Sequence, residues 1–200
     1  MTIRQRIGPF VPILQAVIGD DFPDVMAAAQ QGSEAAFSLL WRDGHPDLLR
    51  YLRVAAPDAA EDVASETWVQ VCRGLTAFRG DERAWRSWLF TIARRRAIDE
   101  GRRRSRHPVA PLDDVPHARE PRAPDAERQA LENLATAGVI TAVLALPPAQ
   151  AEVILLRMLA GLDNETVARV VGSSPGAVRV AAHRGLRRLA QTLSPTGVTR

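Results

Sequence analysis

One stretch, NETVARVVGSSPGAVR at residues 164–179, decides the fold of the C-terminal part of the chain. Two helices that cross steeply need a small residue where they approach and a glycine in the turn between them. Ala168 and Gly172 stand at these two positions. Ser174 can cap the second helix, and Pro175 suits its first turn. The pattern therefore predicts a helix-turn-helix.

The second helix of this motif is predicted to have one apolar and one basic face. Its packing against the rest of the domain is expected to use Val167, Val171, Val178 and Ala181. The outward face carries Arg179, His183, Arg184, Arg187 and Arg188. In DNA-binding proteins such a helix enters the major groove with its N-terminal residues at the bases. The alternative is an ordinary helical hairpin with a solvated basic face.

A second basic segment lies earlier in the chain, where seven arginines fall within residues 94–106. It directly follows an apolar stretch that contains Trp85, Trp88 and Phe90. Arginines can neutralise phosphates, and neighbouring aromatic rings can stack on unpaired bases, so this helix suits opened DNA. The alternatives are a solvated charged face and, for the tryptophans, burial in the core, where at least one of Trp85 and Trp88 is expected.

An acidic segment precedes this basic helix. Asp58, Glu61, Asp62 and Glu66 cluster near the start of a predicted helix. Carboxylates there can simply complement the helix dipole. They can equally form a docking face for a basic partner protein, and the residues alone leave both interpretations open.

Helical periodicity without alternating strand patterns predicts an all-α fold of two small domains. Five prolines between residues 106 and 124 indicate a linker. The predicted organisation is an extension (1–23), a first domain (24–105), a linker (106–125), a second domain (126–193) and a tail (194–200).

The first domain is predicted to contain four helices. They are expected to run from Asp24 to about Trp41, from Pro46, from Asp58, and from about Ala84 past Arg96 after a turn at Gly80-Asp81. In the second domain, a helix through residues 131–144 should end at Pro147-Pro148, which open the next helix, and Gly161 should stop that one.

Composition narrows the functional class. The 200 residues carry a formal net charge of +3, and all 26 basic residues are arginine. The single cysteine, Cys72, excludes an internal disulfide framework and is expected to be a packing residue, although the sequence leaves a redox role open. The four histidines lack metal-ligand spacing. No nucleophile–base pair or phosphate-binding glycine loop is present, so neither an enzyme nor a cofactor is predicted.

The longest apolar runs are far shorter than the roughly 20 residues that cross a bilayer. The N-terminal segment is interrupted by Gly8, Pro9 and Pro12 and lacks a small-residue cleavage site, so no signal peptide is predicted. A cytoplasmic protein without membrane insertion is expected.

These segments, in this order, resemble a bacterial RNA polymerase sigma factor of the extracytoplasmic-function (ECF) family, within the sigma-70 superfamily. The resemblance rests on AEDVASETW at residues 60–68, FRGD at 78–81, AWRSWLFTIAR at 84–94, RRAIDEGRRR at 95–104 and LPPAQAEV at 146–153, together with the helix-turn-helix. It covers about residues 24–105 and 126–192.

The resemblance implies a function in which the chain binds RNA polymerase core and directs promoter-specific transcription initiation. The implied partners are the beta-prime clamp helices and beta flap of the core, promoter DNA, and an anti-sigma factor. Residues implied to bind core polymerase are Asp58, Glu61, Asp62, Ser65 and Glu66. Those implied for the minus-ten element are Trp85, Trp88, Arg94, Arg95, Arg96, Asp99, Arg102 and Arg103. Those implied for the minus-thirty-five element are Ser174, Gly176, Ala177, Arg179, Val180, His183, Arg184 and Arg187.

The sequence departs from the family pattern at three points. Ser65 stands where the family usually has glutamine, Arg95 where it usually has asparagine, and Arg179-Val180-Ala181 where it often has Lys-Ser-Arg. The alternative function is a helix-turn-helix transcription regulator that acts without core polymerase. Such a duplex reader has no need of the aromatic and arginine-rich helix at residues 85–106.

Overall fold

The computed structural model describes residues 18–106 and 141–193, and these are helical with no strand among them. The predicted all-α architecture of two helical units is confirmed. Four predicted features fall wholly or mainly outside the described residues: most of the extension, nearly all of the linker, the start of the helix predicted through residues 131–144, and the tail.

Four helices build the first unit. They are α1 (Phe22–Gln30), α2 (Glu34–Ala55), α3 (Ala60–Gly74) and α4 (Glu82–Arg106). Asp81 caps α4 by accepting a hydrogen bond from the Ala84 backbone N–H at 2.8 Å, which agrees with the predicted turn at Gly80-Asp81. Short 3-10 turns precede α1 and α3 and follow α3.

The predicted boundary between the first two helices is wrong. The chain breaks at residues 31–33, where Gly32 has φ +92° and the Ser33 hydroxyl caps α2, and Pro46 lies inside a continuous α2. A proline inside a helix removes a backbone hydrogen bond and costs about 3 kcal/mol. Leu40 and Leu48, on either side of Pro46, are both fully buried, so burying one uninterrupted apolar face offsets this cost.

Aromatic rings fill the space between α2, α3 and α4. Trp85 is 1% exposed, and it contacts Trp68 and the edge of Phe78 at ring-centroid distances of 6.4 and 5.8 Å. Tyr51 meets Phe90 edge to face on the other side of α4. Cys72 of α3 lies outside this core and is exposed, so its expected role in packing is wrong.

A buried ion pair joins α2 to α4. The Arg86 guanidinium donates to both carboxylate oxygens of Asp43 at 3.0 and 3.2 Å, and it also pairs with Glu82 one turn away. The side chains of Asp43 and Arg86 are 2% and 10% exposed. Because a buried charge without its partner is costly, this pair fixes the register of α4 on α2.

The second unit contains α5 (Pro148–Met158), α6 (Asn164–Val171) and α7 (Pro175–Leu193), and residues 141–144 before them are also helical. α5 begins at Pro148, and Gly161 with φ +64° follows its end, as predicted. Val143, Ile154, Leu156 and Val167 form its fully buried centre.

At Gly44, α2 packs closely against Trp68 of α3 and Leu89 of α4. A Cβ atom there would lie 2.9 Å from Leu89 and 3.5 Å from Trp68, whereas a Cβ at Gly101 in α4 would meet nothing within 4 Å. We expect Gly44→Ala to lower the free energy of unfolding by about 1–2 kcal/mol because overpacking outweighs the gain in helix propensity. Gly101→Ala should raise it by about 0.5–1 kcal/mol.

Urea titrations followed by tryptophan fluorescence check this prediction, because all four tryptophans lie in the first unit. Equal midpoints for the two variants would show that α2 does not pack as closely as described.

Candidate nucleic-acid interface

The helix-turn-helix has the local geometry that its sequence predicts. Gly172 adopts the left-handed conformation with φ +70° directly after α6. The Ser174 hydroxyl accepts a hydrogen bond from the Ala177 backbone N–H at 3.2 Å, so it caps α7, which begins at Pro175. Asp163 caps α6 by accepting from the Thr166 N–H at 2.8 Å, and this bond holds the pKa of its carboxyl below the usual range. Both helix starts are thus fixed by side chains.

Packing sets which face of α7 is turned outward. Val178, Ala182 and Leu189 are buried, and Gly185 lies directly against Ile154 of α5. Val171 and Ala181, which were also predicted to anchor the motif, are only partly buried against this core. The close approach at Gly185 brings the two helix backbones together and directs the opposite face of α7 to solvent.

All eight residues predicted for the minus-thirty-five element are on the surface. The structure exposes Ser174, Gly176, Ala177, Arg179, Val180, His183, Arg184 and Arg187. Within the described ranges 18–106 and 141–193, none of the three arginines among them takes part in an ion pair. A continuous basic surface is therefore available to an anion, while its contact with DNA stays a prediction.

The two tryptophans of α4 differ in accessibility. Trp85 belongs to the core, as expected for at least one of the pair, so its ring is not offered to a base in this structure. Trp88 is half-buried and stacks on Phe78 with ring centroids 5.3 Å apart. Trp88 therefore lies at the edge of the core with part of its ring open.

Several arginines of α4 already have carboxylate partners. Arg103 and Arg104 both donate to Glu100 at 2.8 Å, and these bonds lower the pKa of Glu100. Arg102 lies 3.9 Å from Asp99. Such exposed pairs are weak, so a phosphate can compete with them.

The remaining arginines predicted to bind DNA project from the preceding turns of α4. Arg96 contacts Gln70 at 3.2 Å and Glu66 at 3.9 Å, Arg95 has no ion pair within the described segments, and Arg94 pairs with Glu152 of α5. Apart from Arg95, the phosphate-binding candidates thus have partners on α3, α4 or α5.

The acidic candidates form one face of α3 and of the 3-10 turn before it. Asp58, Glu61, Asp62, Ser65 and Glu66 are all exposed, and the residues between them point into the core. This spacing of three and four places side chains on one side of a helix. The face borders the arginines of α4, since Asp58 pairs with Arg104 at 3.2 Å.

A contact between the two units was not predicted. Glu152 Oε1 accepts hydrogen bonds from Arg94 Nε at 2.7 Å and from the Tyr51 hydroxyl at 3.1 Å. Burial and the charge of Glu152 raise the pKa of Tyr51 far above its usual range. Arg83 lies 3.1 Å from Asp163. No local pattern indicates such pairs, because their members are separated by more than 50 positions.

Between the units lies an open cleft of about 1000 Å³. Its first-domain side includes Phe78, Arg79 and Trp88, and α6 contributes Thr166 and Arg169.

No described helix is long and apolar enough to span a membrane. No group of His, Cys, Asp or Glu suited to hold a metal occurs in the part of the chain that the structure describes.

Comparison with known proteins identifies both units. Residues 40–107 match the family model of sigma-70 region 2, and residues 137–189 match that of sigma-70 region 4. The ECF RNA polymerase sigma factor ShbA of Streptomyces griseus is 34% identical over 184 residues, covering 85% of this chain and 96% of ShbA. BldN of Streptomyces coelicolor, also an ECF sigma factor, is 34% identical over 173 residues, which is 85% of this chain but 65% of BldN.

A solved structure supports the same fold. It is the sigma factor RpoE of Bartonella quintana in complex with the anti-sigma factor NepR, which aligns with a TM-score of 0.57 at 23% identity, over 82% of this chain and 98% of that one.

The chain therefore belongs to the ECF family of RNA polymerase sigma factors. It is a regulatory protein that directs transcription initiation, and a regulator acting without core polymerase is not favoured.

Trp88 provides a test of the cleft as a site for unpaired bases. We expect Trp88→Ala in the full chain to weaken binding of a single-stranded oligodeoxythymidine by about 1–3 kcal/mol, because one stacking surface is lost. Fluorescence anisotropy of labelled DNA measures this affinity. Trp41→Ala is the matched control, since Trp41 is 38% exposed and does not line the cleft. Equal affinities for the two variants would remove Trp88 from the interface.

Proposed function

We propose that this sigma factor divides promoter recognition among three surfaces. The acidic face of α3 docks on core polymerase, α4 holds the opened minus-ten strand, and α7 reads the minus-thirty-five duplex. The observation that carries this proposal is the separation of charge. Exposed carboxylates occupy one side of α3, whereas the outward side of α7 is basic.

Core docking is assigned to the carboxylates of α3 and the turn before it. Their partners are the beta-prime clamp helices, by resemblance to the family, and the second domain contacts the beta flap. Arg53 and Arg96 each lie 3.9 Å from a carboxylate of this face. Pairs this long and this exposed are readily exchanged for cations of a partner. Ser65 stands where the family usually has glutamine, so at this position of the docking face a hydroxyl, and not an amide, is available to hydrogen-bond the partner.

Minus-ten binding is assigned to Trp88 and the arginine-rich half of α4. Arg95 and Arg102 are the most readily available in the described ranges, because Arg95 has no ion pair and Arg102 lies 3.9 Å from Asp99, whereas Arg96 also donates to Gln70 at 3.2 Å. Each neutralised phosphate releases counterions, so affinity should fall steeply with salt. Trp85 supports this surface from the core, and Asp99 holds Arg102.

Minus-thirty-five recognition is assigned to the exposed start of α7. Arg179 is the fifth residue of α7, at the start of its second turn, where a guanidinium can bond two acceptors of a guanine in the major groove. Arg184 and Arg187 lie further along and suit phosphates.

In this proposal the sigma factor positions the polymerase on promoter DNA, and the polymerase carries out the chemistry of RNA synthesis. An anti-sigma factor is the third partner expected from membership of the family, and the cytoplasm is the expected compartment. Both are inferences from the family.

Asp62→Arg tests the docking face. Asp62 is exposed in the first turn of α3, so we expect the fold to survive the substitution. Core binding should fall at least tenfold, because the introduced arginine has the same charge as the basic surface of the partner and repels it. Binding of purified core polymerase at increasing salt measures this. Glu34→Arg reverses a charge in the first turn of α2 and is the matched control. Unchanged core affinity for Asp62→Arg would remove α3 from the docking surface.

Arg179→Ala tests promoter recognition in the holoenzyme. The loss of a guanidinium at a base should cost about 1–3 kcal/mol at a matched promoter and leave core binding intact. Footprinting at a promoter mapped for this protein provides the measurement. Arg188→Ala removes the same charge further along α7 and should weaken binding to all DNA sequences by the same amount. A minus-thirty-five footprint that survives Arg179→Ala would contradict the assignment.

A further inference from the structure

The outward face of α7 carries an apolar residue at its centre. Val180 is 48% exposed, whereas Val178 and Ala182, two positions before and after it, are buried. Residues two positions apart in a helix point in nearly opposite directions, so Val180 points away from the core. The helix cannot roll to bury it, because Gly185 already lies directly against Ile154 of α5. The packing of the rest of α7 therefore holds this valine toward solvent.

The surroundings of Val180 are basic. His183 and Arg184 follow it by three and four residues and Arg187 by seven, so all three share its side of the helix. All three are exposed, and within the described segments neither arginine takes part in an ion pair. Val180 thus lies in a surface that attracts an anion, and not in an extended apolar patch of the kind that binds another protein.

Val180 brings no gain to the fold that offsets its cost. Valine has a lower helix propensity than alanine, and a valine left in solvent gains no burial in return. A residue that breaks a local preference without a structural gain marks a functional position. It also stands where the family often has serine, so this apolar group is a departure of this chain.

The preceding turn of α7 allows Val180 to come close to a base. Gly176 lies one turn before it on the same face, and Ala177 lies beside that glycine. Outside its own helix backbone, a Cβ atom at Gly176 would meet only the Ser174 hydroxyl oxygen, at 4.0 Å, so packing does not require a glycine there. Such small side chains at the start of α7 let the helix enter a major groove deeply.

The major groove of DNA offers one methyl group to an apolar side chain. This is the C5-methyl group of thymine, whereas the other distinguishing groups of the base edges are hydrogen-bond donors and acceptors. The branched Cβ of Val180 restricts it to one preferred rotamer in a helix, so its two methyl groups are held in place before DNA binds. A valine at this position therefore favours thymine over the other bases.

We propose that Val180 is a specificity-determining residue, which packs on the C5-methyl group of a thymine in the minus-thirty-five element. The inference rests on the proposed function, which assigns α7 to that element, and it adds the base that the apolar residue selects. Arg179 then provides the polar part of recognition by bonding a guanine, and Val180 provides the apolar part.

Replacement of thymine by deoxyuridine tests this proposal, because it removes the methyl group and keeps the base pair. Holoenzyme is bound to a promoter mapped for this protein, in which each thymine of the minus-thirty-five element, on either strand, is replaced in turn. For the wild type, one replacement should weaken binding about threefold to fivefold, as expected for the loss of one buried methyl group. Competition against the labelled, unmodified promoter measures this ratio.

Val180→Ser should abolish the difference between the modified and unmodified promoters. The position is exposed, so we expect the fold and core binding to be preserved. Leu144→Ser is the matched control, because Leu144 is 51% exposed in the same unit and lies outside α7. This control should keep the wild-type ratio.

The role of Val180 is overturned if no replacement weakens binding of the wild type, if Val180→Ser keeps the wild-type ratio, or if Leu144→Ser loses it as well. Arg179→Ala on the same promoter separates these outcomes from a failure of the proposed function. If Arg179→Ala removes the minus-thirty-five footprint, α7 stays assigned to this element whatever Val180 does. A footprint that survives both Arg179→Ala and every thymine replacement contradicts the proposed function instead.

Discussion

The buried pair between Asp43 and Arg86 is the interaction on which the first domain depends. It joins the middle of α2 to the first turns of α4, next to the packing of Gly44 against Leu89 and Trp68. Separating two buried charges costs several kcal/mol, so the rotation of α4 about its axis is set here. That rotation sends Trp85 into the core and leaves Trp88 at its edge. The arginines further along α4 then project in different directions, with Arg94 toward α5, Arg96 toward α3 and Arg95 into solvent.

In the second domain, helix caps and a glycine turn fix the positions of the helices. Gly172 in the left-handed conformation and caps at Asp163 and Ser174 fix where α6 ends and α7 begins. Gly185 brings α7 close to α5, so the basic face is left outside. Local backbone conformation and capping therefore fix the helix ends of this domain, whereas a long-range ion pair fixes the register of α4 on α2 in the first domain. Part-exposed ion pairs, Arg94–Glu152 and Arg83–Asp163, then connect the two domains.

The sequence predicted best what depends on neighbouring residues. The cap at Ser174, the turn at Gly172 and the shared face of Asp58, Glu61, Asp62 and Glu66 follow from spacing alone, and the structure has them. Pro46 was interpreted as a helix start because proline favours that position, yet burial of Leu40 and Leu48 on either side holds α2 together. Tertiary packing overrode the local preference there. The Arg94–Glu152 contact has no local signal at all, since neither residue type nor spacing marks its partner.

The most direct measurement of the central claim is genome-wide run-off transcription with the core polymerase and genomic DNA of the source bacterium, with and without this protein. The account predicts a discrete set of new start sites that appear only when the protein is added. These sites should share one sequence near minus ten and another near minus thirty-five. If the protein binds the core but adds no start sites, it does not direct promoter-specific initiation, and the assignment of α4 and α7 to promoter DNA is contradicted.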